Sequence, residues 1–279
     1  MFNVKKMAKL GCICSVFLLV SLGLTACGDN PGKTDSTTKN SNTKLVIGTT
    51  ALTPGISEES DDKTKDGGLQ GMDIDIIKEI AKRNNWEIEW KVADVQALFG
   101  MLDNGNIVTI ANSIAINKER EEKYNFDDPY AFGSYSFVSK QGKASVSSIE
   151  SLKGKKVAAL ASGDQKLSLD EINTKYDLNM EILPIDNNGA VLQSMLNDTA
   201  DLAFIGTSAA ALANKTLNLN LQIYDPGVRN FKLIHPFVKT PESDKIRVVM
   251  NKTIHDMRND GTLKAISVKW FGQDLTITK

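Results

Sequence analysis

Histidine is almost missing from this chain: His235 and His255 are the only two in 279 residues. With just three cysteines, Cys12, Cys14 and Cys27, there is little material for a His/Cys metal site. An excess of basic charge is missing as well. Lys+Arg number 33 against 34 Asp+Glu, a net charge of −1, so nothing marks a nucleic-acid footprint. No G-x-S-x-G, H-E-x-x-H, P-loop or dinucleotide fingerprint occurs. An enzyme reading has no anchor beyond the general supply of carboxylates, which specify nothing without geometry. What is present is ordinary soluble composition. At 41% hydrophobic and 24% charged, the chain is too apolar for disorder and too polar for a multi-span membrane protein. Its length suits one large domain or two lobes with a substantial core.

The first thirty residues follow a different pattern from the rest. Lys5, Lys6 and Lys9 precede an apolar stretch over residues 10–24, shorter than the roughly 20 residues of a comfortable membrane span. Leu24-Thr25-Ala26-Cys27-Gly28 then runs small residues into a cysteine, which resembles the lipobox of bacterial lipoproteins. That resemblance implies a signal peptide over 1–26, removed on export, and lipidation of Cys27. The mature chain would have no free thiol and no disulfide. Losing three lysines and no acids moves its net charge from −1 to −4. Residues 28–43 are Gly, Ser, Thr, Asn, Asp, Lys and one Pro, with no large apolar side chain. They cannot bury enough surface to offset their ordering entropy, so 27–43 reads as a lipidated cysteine and flexible tether. A tether of this length fits a single-membrane, Gram-positive-type surface.

From Lys44 the pattern alternates. Residues 45–48, 157–160 and 202–205 are short buried-strand runs. Between them, Ile74, Ile77, Ile80 and Ala81 recur at helical spacing behind a start signal at Asp73. Val95, Leu98, Phe99 and Leu102 form a second apolar face closed by Asn104-Gly105, and Val191, Met195 and Leu196 a third. Thr240-Pro241-Glu242 supplies a cap, an N1 proline and an early acid. The helix it starts runs to a stop at Asp260-Gly261. This alternation predicts an α/β fold with mostly parallel sheets, and the fresh start at 155–164 predicts a second lobe. His235, in an apolar extended run, is expected to be a structural or hinge residue, and His255 a surface residue. Trp86, Trp90 and Trp270 read as packing residues, and Asp127 and Asp128 beside Pro129 as turn residues.

Three segments together carry a family resemblance. They are the run from Gly71 to Ala81 (GMDIDIIKEIA), the run from Ile110 to Tyr130 (IANSIAINKEREEKYNFDDPY), and the run from Asp256 to Gly272 (DMRNDGTLKAISVKWFG). They resemble the bacterial extracellular solute-binding proteins of polar amino-acid ABC transporters, nearest the cystine-binding branch. The resemblance covers residues 44–276. It implies a two-lobed type II periplasmic-binding-protein fold with two hinge crossings, lobe 1 holding 44–133 and 233–279 and lobe 2 holding 134–232. It also implies a monomer that closes over an amino-acid-like solute and docks on a transporter permease, with no cofactor and no chemistry of its own.

Residue by residue, the resemblance places Arg120 at the arginine that pairs with a ligand α-carboxylate. A planar guanidinium suits that job because it offers two parallel charge-assisted bonds. Asn117 is expected to cap a short helix and set Arg120 in its first turn. Asn112, Ser113 and Ala115 fall on the loop that contacts ligand. The family's stacking aromatics are replaced by Thr53, Ile56 and Val95, which predicts a wider, more aliphatic pocket. The Gly-Thr pair of the second lobe reads Gly163-Asp164. The acid that binds the α-ammonium falls at Gly206, with Thr207 beside it. Asp164 is then either a helix cap or the replacement ammonium-binding acid. Two other classes stay open: a dehydratase-like enzyme on the same scaffold, and a sensor lipoprotein with a degenerate cleft.

Overall fold

Leu45 and Ile47, the first alternating apolar residues, lie buried in strand Thr43–Thr49 of the computed structural model, which describes residues 43–143, 146–227 and 230–277. Cys27, the leader 1–26 and nearly all of the tether 27–43 lie outside the described residues. Strand Thr43–Thr49 is the centre of a three-stranded parallel sheet, flanked by Trp86–Val92 and Thr109–Ile110. Helix Met72–Asn84 makes the first crossover and buries Ile74, Ile76, Ile77 and Ile80. Each such side chain taken from water contributes about 1.5–3 kcal/mol. Asp73 is not the start signal expected of it. The helix begins at Met72 with Gly71 at the N-cap and no side-chain cap, and Asp73 is fully buried. Helix Val95–Asp103 is capped by Asp94 and ends at Asn104, as its periodicity predicts.

A second parallel core forms around Lys156–Leu160, between Glu181–Ile185 and Leu202–Gly206. Helices Gly163–Lys175 and Asn188–Leu196 connect these strands, and helix Thr207–Leu217 follows the last. Phe137, Val157, Leu169 and Phe204 share one buried cluster here, while Leu45, Met72, Ile76 and Phe237 belong to another around the first sheet.

The sheets are less parallel than the alternation predicts. Strand Ala131–Ser139 runs antiparallel to Leu202–Gly206, to Gln222–Tyr224 and to Asn230–Ile234. The last of these also pairs antiparallel with Ile114–Ala115. Ala131–Ser139 leaves the first core for the second and Asn230–Ile234 brings the chain back, so the two must run in opposite directions. After the return, helix Pro241–Asn259, capped by the Thr240 hydroxyl, and helix Thr262–Phe271 close over the first core. No helix of the described residues is long and apolar enough to cross a membrane.

Candidate functional site

A cavity of ≈ 600 Å³ opens where the two return strands pass between the cores. That volume lies within the usual range for small-molecule sites, about 300–1,000 Å³. On one side stand Thr53, Pro54 and Ile56 with Asn112, Ser113 and Ala115. On the other stand Asp164 and Gln165 with Gly206 and residues of the helix that follows it, among them Ala209 and Leu212. Seven of the residues expected at a site are therefore brought together: Thr53, Ile56, Asn112, Ser113, Ala115, Asp164 and Gly206.

Each wall is held by local chemistry. Asn112 accepts from the Thr50 hydroxyl at 2.7 Å through Oδ1, which fixes its side chain against the end of the central strand. Ser113 adopts a left-handed backbone (φ 53), and its N–H donates to the buried Asp73 carboxylate at 2.5 Å. The Thr53–Ile56 wall rests on the first helix: the Met72 N–H donates to Gly55 O at 2.8 Å and the Asp73 N–H to Ile56 O at 3.0 Å.

Four expected residues do not line the cavity. Arg120 sits in the first turn of helix Lys118–Lys123, with Asn117 accepting from its N–H at 2.9 Å as the capping argument predicts. Its guanidinium is tucked behind the loop, donating to Ala115 O at 2.8 Å over the Phe99 ring at 4.8 Å. Burial lowers its pKa from the ordinary value. Thr207 turns its hydroxyl away from the cavity, to Ser134 and Ser136 Oγ at 2.6 Å each. Gly163 opens helix Gly163–Lys175 at φ +85 without reaching the cavity, and Val95 is half-buried in the first turn of its own helix.

The cap reading of Asp164 does not describe its position. Ser162 holds the N-cap place, without a side-chain cap bond, and Asp164 lies inside the first turn. There it lines the cavity and accepts from the Tyr135 hydroxyl at 3.3 Å.

The expected loss of aromatic walls is made good from elsewhere. Tyr135 and Phe231, one on each return strand, line the cavity with ring centroids 5.4 Å apart. Neither is marked by the sequence pattern. The available signal is Gly133, paired across the ladder with Phe231. A Cβ there would lie 2.1 Å from the Phe231 ring, so the glycine makes room for the aromatic face.

Beneath the loop lies a buried polar cluster. Asp127 is not a turn residue on the surface. Its Oδ2 lies 2.6 Å from His235 Nδ1 and its Oδ1 accepts the His235 N–H at 2.6 Å, both side chains being fully buried. Tyr130 stacks on the imidazole with centroids 4.6 Å apart and donates to Asp73 Oδ2 at 2.9 Å. Burial pushes the Asp73 carboxyl up. For His235, burial pulls down, but the charge and hydrogen bond of Asp127, with Asp73 behind them, leave the imidazole above its usual value. His255 is exposed, 3.2 Å from Asp128. Trp270 donates its Nε1–H to Asp75 at 2.7 Å. No group of His, Cys, Asp and Glu among the described residues is arranged to hold a metal ion.

Comparisons with known proteins agree with this geometry. Residues 47–273 match the family model of bacterial extracellular solute-binding proteins, family 3. The "Probable amino-acid-binding protein YxeM" of Bacillus subtilis is 29% identical over 255 residues, 91% of this chain and 92% of that one. The L-cystine-binding protein TcyJ of Escherichia coli K12 is 27% identical over 83% of this chain and 84% of its own. In three dimensions, the unliganded open L-cystine solute receptor of Neisseria gonorrhoeae superposes with a TM-score of 0.73 at 19% identity. That match covers 86% of this chain and 97% of the receptor. These relatives are named as binding proteins and receptors, not as enzymes. With its two α/β cores and its two return strands, the chain has the two-lobed type II periplasmic-binding-protein fold and belongs to the bacterial extracellular solute-binding proteins, family 3.

Proposed function

We propose that this protein is the lipid-anchored solute-binding component of an ABC importer, held outside the membrane through Cys27. In this reading it takes a cystine-like or other polar amino-acid derivative by lobe closure and delivers it as a monomer to a permease. Lobe 1 holds residues 44–133 and 233–279, lobe 2 holds 134–232, and the strands Ala131–Ser139 and Asn230–Ile234 supply the hinge. The observation that carries the reading is the cavity itself, walled on one side by the 112–115 loop and on the other by Asp164 and Gly206. A solute touching both walls makes contacts that only a closed form completes, and that difference in affinity is what shifts the population toward closure.

Arg120 takes the solute carboxylate by swinging its guanidinium off the Ala115 carbonyl, which in this structure holds it outside the cavity. Its guanidinium is held by a neutral carbonyl and an aromatic face, so an arriving carboxylate meets an ionised partner with a bidentate fork. Asp164 takes the ammonium, and the Tyr135 and Phe231 faces receive the body of the solute in place of the aromatics absent at Thr53, Ile56 and Val95. Asn112, Ser113 and Ala115 contribute backbone and side-chain contacts and Gly206 frames the far side, while Gly163 and Thr207 support it from outside the cavity.

The test is a thermal-shift panel on the tether-free body with cystine, cysteine, sulfur-containing conjugates and the standard amino acids. A ligand at 100 times its Kd adds about 2.7 kcal/mol, which raises the midpoint of a body this size by roughly 5–10 °C. Arg120→Ala removes the charge that meets the carboxylate and is expected to weaken binding of the selected solute by at least about 30-fold. Asp164→Ala and Asp164→Asn are both expected to weaken it. Unchanged affinity in both would remove the ammonium role while leaving Arg120 in place. A flat panel on well-folded protein would overturn the amino-acid reading and favour a sensor lipoprotein.

A further inference from the structure

The buried cluster beneath the 112–115 loop holds a carboxyl where its hydrogen bonds call only for an acceptor oxygen. Asp73 Oδ2 alone accepts both hydrogen bonds, from the Ser113 N–H and the Tyr130 hydroxyl, while its buried Oδ1 has no partner. An asparagine oxygen could accept the same two bonds without the cost of burying an ionisable carboxyl, which burial already pushes up. The position of the cluster suggests what the carboxylate does. Ser113 lines the cavity in a left-handed conformation that a residue with a Cβ adopts only when its surroundings impose it. Tyr130 is the last residue before strand Ala131–Ser139, and His235 is the first after strand Asn230–Ile234. The stack of Tyr130 on His235 thus clasps the entry of one return strand to the exit of the other.

We propose that Asp73 is a positioning residue for the cleft: it holds Ser113 in the turn that aims the 112–115 loop into the cavity and, through Tyr130, ties that loop to the His235–Asp127 pair at the root of both hinge strands. Loop geometry and hinge geometry are then set by one buried unit rather than separately. The inference rests on the reading of the cleft as the solute site only in its binding consequence. The link between loop and hinge stands on the cluster itself.

The groups facing one another inside the cluster are Asp73 from helix Met72–Asn84, Asp127 and Tyr130 from the segment entering the first return strand, and His235 from the end of the second. Helix Pro241–Asn259 meets the same segment from outside, where Arg258 donates to Pro129 O and His255 pairs with Asp128 at the surface.

The experiment uses the folded body and the fact that the chain has two histidines. Imidazole and backbone ¹H–¹⁵N spectra are followed from pH 5 to 9.5, with exposed His255 as the internal control. In the wild type the Ser113 amide is expected to shift with the buried His235 imidazole and to be indifferent to exposed His255. In Asp73→Asn, which keeps both hydrogen bonds but sets its NH2 at the partnerless place of Oδ1, the amide should stop following His235 while the protein stays folded. Asp73→Ala should lose stability as well. L-Cystine binding should weaken about 10-fold in Asp73→Asn, the difference between a charged and a neutral hydrogen bond. A Ser113 amide indifferent to His235 in the wild type would overturn the proposal. So would undiminished L-cystine affinity in Asp73→Asn. Should the wild type bind no L-cystine, that counts against a cystine-like solute, and the Ser113 amide alone decides the positioning role.

Discussion

Asp127→Ala is expected to cost about 3–5 kcal/mol, because it strands the fully buried His235 without its counter-charge. For a body of this size that is a fall in Tm of roughly 6–20 °C. The change also removes the acceptor of the His235 backbone N–H, leaving a second buried group unpaired. The pH profile gives the diagnostic result. In the wild type the His235 pKa is raised above its unfolded value, so the folded state binds more protons than the unfolded one above about pH 6.5. The stability His235 contributes is complete below that pH and is lost as pH rises through the folded pKa. Without Asp127, burial is the largest influence left and the charge of Asp73 the smallest, so the folded pKa drops below 6.5. The sign then reverses, and stability is lost as pH falls below about 6.5. Chemical denaturation of both proteins at pH 5.5 and 8.5 checks this. Parallel pH dependences would show that the pair is not a proton-linked element of the fold.

Gly71→Ala is the second large effect, and it acts on the cavity wall. Gly71 lies at φ 135, ψ 171, a region reserved in practice for glycine and worth about 1–3 kcal/mol of strain for any other residue. A Cβ there would sit 2.1 Å from Ile56 O and 2.3 Å from its carbonyl carbon. Both are backbone atoms, so no rotamer change relieves the clash. The chain must separate, breaking the bonds that tie Gly55 and Ile56 to the start of the first helix. We expect failure to accumulate as folded protein, or a stability loss of about 3 kcal/mol or more once the broken bonds are added to the strain. The Thr53–Ile56 wall would be displaced with it. Gly142→Ala is the control: that residue has φ +83, and beyond its chain neighbours no atom of the described residues lies within 4 Å of an added Cβ, so it registers backbone strain alone. Equal losses in the two variants would show that close approach to Ile56 plays no part.

Both effects concern residues whose surroundings local patterning misread or passed over. Gly71 falls inside the run that carries the family resemblance, but the spacing of apolar residues says only that a helix starts nearby. Local patterning marks Asp73 as a start signal and Asp127 as a turn residue, because acids before an apolar period and beside a proline usually are. Those are statements about neighbours in sequence. The partners of Asp73 lie 40 and 57 residues away, and the partner of Asp127 lies 108 away. Arg120 shows both sides of the matter. Its helix, cap and place in the first turn follow from four adjacent residues, while its contact with the Ala115 carbonyl over Phe99 depends on how strand and helix pack.

The sequence by itself determined the α/β class, the first crossover helix, the caps at Asn117 and Thr240, the strands at 45–48, 157–160 and 202–205, and the family. These depend on periodicity, local hydrogen bonding and motif, all of which act over a few residues. Only the tertiary structure decided the antiparallel character of the return strands, the aromatic faces of Tyr135 and Phe231, the turning of Thr207 away from the cavity, and the buried carboxyl beneath Ser113. Each of these depends on which distant backbone or side chain occupies the adjoining space. Burial and pairing belong to that meeting of segments, and no single segment encodes them alone.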